Sequence, residues 1–191
     1  MYRDNHILVV EKPSGLLSVP GKNPLNKDSV LERLKAMYPA AKLVHRLDFG
    51  TSGVMLAALT EQAVTHLNKQ FQSRRVRKAY IALVAGHLEA DSGEIDLPIA
   101  RGDFPLQKIC ESGGKRAISR YEVLSRETTG AGFPVSRLRF TPLTGRTHQL
   151  RLHSLAISHP IVGCDLYHKM VQFAGRKIDS QQLASRLLLH A

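Results

Sequence analysis

The chain has 191 residues, with 27 Lys and Arg against 16 Asp and Glu, for a formal net charge of +11. No apolar run approaches the ~20 residues of a membrane-spanning helix, and Met1-Tyr2-Arg3-Asp4-Asn5-His6 lacks the apolar stretch of a secretory leader. Two distant cysteines, Cys110 and Cys164, match no metal-ligand spacing, so a reduced cytoplasmic compartment and no metal are expected. The charge points to a polyanionic partner, nucleic acid before anionic membrane. Residues 62–88 hold no acid but carry Lys69, Arg74, Arg75, Arg77 and Lys78. Residues 128–164 likewise hold none and carry Arg137, Arg139, Arg146 and Arg151. The two segments are expected to form one basic face; the alternative is an ordinary solvated surface.

In chain order, His6–Glu11 reads as a strand stopped by Lys12-Pro13-Ser14-Gly15. Asp28 or Ser29 caps a helix to Tyr38, with Val30, Leu31, Leu34 and Met37 on one stripe. Val54–Leu59 is too short for a typical helix and reads as a buried strand. Glu61–Ser73 is helical by the spacing of Val64, Leu67 and Phe71, with Thr60 as cap. Ala79–Ala85 is a strand closed by Gly86, and Asp91-Ser92-Gly93 a turn. Residues 100–114 show little periodicity, and Gly113-Gly114 precedes a strand at Arg116–Leu124. Val135–Pro142 is a strand. Thr144–Ile157 is helical, capped by Thr144 or Thr147. Residues 159–177 are irregular or mixed, Ser180–Ser185 a short helix and Arg186–His190 a last strand. About seven strands and three or four helices without regular alternation predict an α+β domain rather than a doubly wound sheet.

The densest chemistry lies in His45-Arg46-Leu47-Asp48-Phe49-Gly50-Thr51-Ser52-Gly53, between apolar runs. A charged loop delivered onto a central strand suits a site; it equally suits a turn in which Asp48 caps a backbone amide. There is no zinc signature, phosphate loop, dinucleotide fingerprint or nucleophile elbow. What remains is Asp48 as nucleophile or base, held ionised by Arg46 or by an arginine of the second basic segment. Tyr80, directly after Arg74–Lys78, can stack on a base or serve as a core tyrosine.

These residues resemble the RNA pseudouridine synthases of the RluA type. His45-Arg46-Leu47-Asp48 with Thr51-Ser52-Gly53 is similar to the catalytic motif. Val9-Val10-Glu11-Lys12-Pro13-Ser14-Gly15-Leu16 resembles the opening strand and Lys-Pro-x-Gly turn, and Arg77-Lys78-Ala79-Tyr80 the Lys-x-Tyr motif. Gly145-Arg146-Thr147-His148-Gln149-Leu150-Arg151 resembles the third motif, and Arg186-Leu187-Leu188-Leu189-His190-Ala191 the late Arg-Leu-x-Leu-His segment. The resemblance runs in order over essentially the whole chain. It implies a pseudouridine synthase fold, a mixed, mostly antiparallel sheet bent around an RNA-binding cleft, as a single catalytic domain over residues 1–191. It implies isomerisation of uridine to pseudouridine in structured RNA without a cofactor. Asp48 is then the nucleophile, Tyr80 stacks on the flipped base and shares in proton transfer, and Arg146 pairs with Asp48. Arg46 fills the vacated space, Leu188 or a neighbour packs on the ring, His45 is structural, and Arg74, Arg75, Arg77, Lys78 and Arg151 bind RNA.

Without an N-terminal domain of the ribosomal-S4 type, the chain resembles the compact subgroup that acts on ribosomal and transfer RNA, and a monomer that binds no membrane is expected. Ser158 stands where the family usually has Gly, and Cys164 where it usually has Asp, with Asp165 one place later. Relatives continue for a strand and tail beyond Ala191, so a truncated C-terminal tail is expected. Two other classes compete with this reading: a basic RNA-binding module without chemistry, and a ribosomal small-subunit type synthase, whose aspartate motif differs.

Overall fold

The computed structural model describes residues 2–173 and 176–191. The backbone divides into two compact units, Met1–Arg77 with Ala191, and Lys78–His190.

In the first unit, β1 (Tyr2–Arg3), β2 (Ile7–Lys12), β3 (Lys42–Leu43) and β4 (Gly53–Ala58) form an antiparallel sheet in the order β1-β2-β4-β3. Met55, Ala57 and Ala58 of β4 have no exposed surface, as expected of a strand paired along its length with β2. Helix α1 (Val30–Met37) starts where the Ser29 hydroxyl accepts from the Glu32 amide at 3.3 Å. Val30 and Leu34 are buried, but Met37 of the predicted stripe is exposed. Helix α2 (Glu61–Gln72) is capped by Thr60, whose hydroxyl accepts from the Ala63 amide. Gly53 has φ +125°, and a Cβ there would overlap the Ala191 backbone. Ala191 donates to the Ser52 carbonyl at 2.9 Å and accepts from the Val54 amide at 3.1 Å. This close approach requires glycine.

The second unit is built on β5 (Tyr80–Ala85), β6 (Ser92–Asp96), β9 (Ile118–Thr128), β10 (Pro134–Pro142) and β13 (Leu189–His190), antiparallel in the order β13-β5-β10-β9-β6. Outside it, β7 (Ile99–Arg101) and β8 (Gln107–Ile109) form a hairpin, and β11 (Met170–Phe173) pairs antiparallel with β12 (Arg176–Asp179). Helix α3 (Gln149–Ala156) buries Leu150 and Leu152 in one cluster with Val84, Leu138, Phe140 and Ile161. Mixed helix and antiparallel sheet agree with the α+β class read from the pattern.

Several boundaries differ from the sequence reading. Ser92 and Gly93 belong to β6 rather than to a turn, and β7 and β8, three residues each, are too short to show a period. The last strand shrinks to Leu189–His190. Helix α3 begins five residues later than predicted, because His148 takes a left-handed φ of +56°. Neither threonine caps it: the Thr144 hydroxyl accepts from the Ile118 amide at 2.8 Å and donates to Gln149 Oε1 at 2.7 Å. The second acid-free segment is not acid-free in space. Arg137 pairs with Glu127 and Arg139 with Glu122, both on the adjacent β9, at 3.2 and 3.0 Å.

The end of α3 explains one family departure. The His159 amide donates to the Ser154 carbonyl and the Ser158 amide to the Leu155 carbonyl, which makes a Schellman motif. Ser158 occupies its left-handed position with φ +66°, where a Cβ is unfavourable by about 1–2 kcal/mol. Glycine relieves that strain but loses more chain entropy on folding. Ser158→Gly is therefore expected to stabilise the protein by about 0.5–1 kcal/mol, read as a higher urea midpoint at unchanged slope.

Candidate active site

In the first unit the loop from Arg46 to Gly50 is shaped by a different stretch of chain, residues 12–18. Lys12 has no exposed surface. Strand alternation puts it on the face of β2 that carries Leu8 and Val10. Its Nζ donates to the carbonyls of Pro13 at 2.9 Å, Leu16 at 2.7 Å and Phe49 at 3.0 Å. An ammonium has three donors, and here each meets a backbone acceptor. Burial pushes the Lys12 ammonium down to about 8, against the opposing pull of the Asp48 carboxylate. The Gly15 amide also donates to the Phe49 carbonyl at 2.9 Å, and the Ser14 hydroxyl to the Gly50 carbonyl at 2.7 Å. The Ser18 hydroxyl accepts from the Leu47 amide at 3.0 Å and donates to the Leu47 carbonyl at 2.7 Å.

This backbone clamp fixes the side-chain directions. Leu47 is buried, Arg46 and Phe49 are exposed, and Asp48 is half-buried. His45 Nε2 accepts from the Leu56 amide at 2.9 Å and its ring stacks on Phe71 at 5.0 Å. Arg74, Arg75 and Arg77 follow α2, are exposed, and, like Arg46, have no carboxylate partner among the described residues.

The second unit carries the remaining predicted residues. Gln149, only 4% exposed, uses every polar atom. Its Oε1 accepts from the Arg146 amide at 3.0 Å and from Thr144, and its Nε2 donates to the Ile118 carbonyl and to Ser119 Oγ, both at 2.9 Å. The turn bearing Arg146 is therefore held to β9. The half-exposed Arg146 side chain donates from Nε to the Arg116 carbonyl at 3.1 Å. Lys78 Nζ reaches the Thr144 carbonyl at 3.3 Å, which brings Lys78 to the same turn. Tyr80, opposite Phe140 on β10, is half-buried against the core, so its ring belongs partly to the core and partly to the surface. Leu188 is half-buried against Ala85, Val135 and Val162.

Arg151 requires a correction. It is 3% exposed, so it is not part of an RNA-facing surface. Its Nε donates to Cys164 Sγ at 3.3 Å, its Nη2 pairs with Asp165, and its guanidinium lies 5.2 Å from the Tyr167 ring. Cys164 and Asp165 together thus receive this arginine at the position where the family usually has a single aspartate. Lys12, Ser18 and Gln149 do not stand out as site residues in the sequence. Lys12 carries a readable signal all the same: it is a lysine on the inward face of an apolar strand, next to a proline. Ser18 carries none, since its partner Leu47 is distant in sequence; Gln149 stands inside the third motif, but its bonds to Ile118 and Ser119 cannot be read from it.

Residues 6–156 match the RNA pseudouridylate synthase family, and the chain belongs to it. The whole chain aligns with the dual-specificity RNA pseudouridine synthase RluA of Yersinia pestis at 48% identity, covering 88% of that protein. It aligns with the protein of the same name from Escherichia coli K12 at 45% identity, covering 83%. Among solved structures, human RNA pseudouridylate synthase domain containing 1 superposes with a TM-score of 0.79 at 34% identity, over 99% of this chain and 74% of that one. The family read from the motifs is thus the family found.

The clamp predicts a pH signature. The folded Lys12 releases its proton near 8, below its usual 10.5. Between those values the unfolded chain binds more protons at this site, so the Lys12 contribution to the unfolding free energy rises with pH across that window and is constant below it. Lys12→Met abolishes this rise. At pH 7 it leaves three carbonyls without their donor and is expected to cost about 2–4 kcal/mol. Urea unfolding of both proteins from pH 7 to pH 10 measures both effects.

Proposed function

We propose that the protein converts specific uridines to pseudouridine in structured RNA, in the cytoplasm, as a monomer and without a cofactor. One observation carries this reading: a family match spanning residues 6–156 includes an Asp48 loop whose backbone is clamped by the Lys12–Ser18 segment. The motif resemblance to the subgroup that acts on both RNA classes, with the similarity to relatives named dual-specificity RNA pseudouridine synthases, supports 23S ribosomal RNA, the transfer RNA anticodon stem-loop, or both as substrates.

The chemistry follows from the groups present. A uridine has to leave its stack before its glycosidic bond can be reached, which costs a few kcal/mol and least in a loop. Tyr80 offsets part of that by stacking on the flipped base. Asp48 is the nucleophile, and Arg146 is the guanidinium that partners its carboxylate, in one orientation and without deprotonating. The C1′–N1 bond breaks, the base turns, C1′–C5 forms, and the proton on C5 leaves while N1 gains one. Arg46 takes the space the base vacates, and Leu188 packs near the ring. Arg74, Arg75, Arg77 and Lys78 contact phosphates.

Release of tritium from C5-labelled uridine in ribosomal and transfer RNA tests the reaction, and pseudouridine mapping in cells lacking the protein locates the target. Asp48→Ala is expected to abolish release while RNA affinity holds or tightens, since a negative charge leaves a basic surface. Tyr80→Phe is expected to retain binding and lose most turnover. Binding without release by the wild type defeats the enzymatic reading. Replacing Arg74, Arg75 and Arg77 by Gln is expected to flatten the dependence of log affinity on log salt by about 2, at ~0.7 for each phosphate of single-stranded RNA that is no longer neutralised. An unchanged slope removes these three from the interface.

A further inference from the structure

The β7–β8 hairpin has a feature that packing does not account for. Phe104, at its tip, is 99% exposed. The tip is nevertheless well defined by its own backbone: the Gly102 amide donates to the Leu106 carbonyl at 3.1 Å, and the Leu106 amide to the Asp103 carbonyl at 2.6 Å. Arg101 and Lys108 lie on opposite faces of the hairpin, since Arg101 shares a face with Gln107 and Lys108 with Ala100. Neither has a carboxylate partner among the described residues, and nor does the neighbouring Lys115. Asp103 is the single acid between Ile99 and Ile109.

The hairpin is fastened twice to the segment that holds Arg146. On one side, Ile99 and Lys115 exchange both backbone hydrogen bonds, at 3.0 and 2.8 Å, and the next carbonyl, that of Arg116, receives Arg146 Nε. On the other, the Gln107 amide donates to the Tyr167 hydroxyl at 2.7 Å, and that hydroxyl is 2.8 Å from His148 Nδ1, two residues after Arg146. Phe104 is three residues from Gln107, a span of at most about 10 Å.

We propose that this hairpin is an RNA-docking finger, and that Phe104 stacks on an unpaired nucleobase flanking the target uridine. The proposal rests on the RNA-modifying reading above. Three properties of the finger fit an unpaired base and no other occupant as well. A phenyl ring stacks on any base, and only unpaired bases expose their faces. Net positive charge on the finger attracts the phosphates on either side of that base. A tip ordered by its own backbone bonds pays little entropy when it engages.

The chain contains no tryptophan, so Phe104→Trp introduces the only indole. Its fluorescence is expected to be quenched by a transfer RNA anticodon stem-loop and not by inorganic polyphosphate. No quenching, or equal quenching by polyphosphate, overturns the proposal. In the tritium-release assay, Phe104→Ala is expected to raise KM roughly five- to hundred-fold, with the loss falling on KM rather than kcat, and Phe104→Trp to restore it. Phe104→Leu separates stacking from apolar contact: it is expected to behave as Phe104→Ala, and a wild-type KM overturns the stacking role. Because the side chain is fully exposed, all three variants are expected to melt with the wild type. If the wild type releases no tritium, the functional reading fails. If it does and Phe104→Ala leaves KM unchanged, the finger alone fails.

Discussion

A single buried ammonium organises the first unit. Lys12 sits at the end of an apolar strand with its charge withdrawn from water, an arrangement unfavourable by several kcal/mol for an unpartnered ion. Backbone carbonyls offset that desolvation, and one of them belongs to Phe49, next to Asp48. The third donor of the ammonium is therefore met only when the Asp48 loop adopts its observed path. Ser14, Gly15 and Ser18 add bonds to Gly50, Phe49 and Leu47. The result is a carboxylate whose backbone is determined from outside its own loop, which suits the attack on one atom proposed for it.

The second unit reaches the same end with a neutral group. Gln149 satisfies two donors and two acceptors at once, so the turn carrying Arg146 is located by hydrogen-bond geometry rather than by charge. Neutral hydrogen bonds of this kind are individually modest in net stability but expensive to leave half-made. Loss of one partner therefore disturbs the whole turn. Arg151, two residues further along α3, shows the other use of a cation: buried, paired with Asp165 and lying over Tyr167, it holds the loop after α3.

Most elements with a clear period are legible in the sequence. The Ser29 and Thr60 caps, β4, β5 and β10 all announce themselves through residue type and alternation. The family is legible because its motifs stand in register along the chain. What the sequence conceals is spatial. Freedom from acid along residues 128–164 says nothing about the carboxylates of the adjacent β9, which neutralise Arg137 and Arg139. The start of α3 is hidden because His148 adopts a left-handed conformation that histidine seldom takes. Lys12 reads as part of a turn because its three acceptors are carbonyls, and every residue has one.

The hydrogen bonds between Ala191 and the Ser52–Val54 segment give the first unit a place in time. Residue 191 leaves the ribosome 138 positions after Gly53, a delay of about 7–28 s at ordinary rates of synthesis. During that interval the entry to β4 can pair with Lys12 on one side, while the edge that Ala191 later covers stays open. The entry to the strand that follows the Asp48 loop is thus made early and closed late. From the synthesis of Gly53 to that of Ala191, a nascent chain displays an unpaired β edge beside its Asp48 loop.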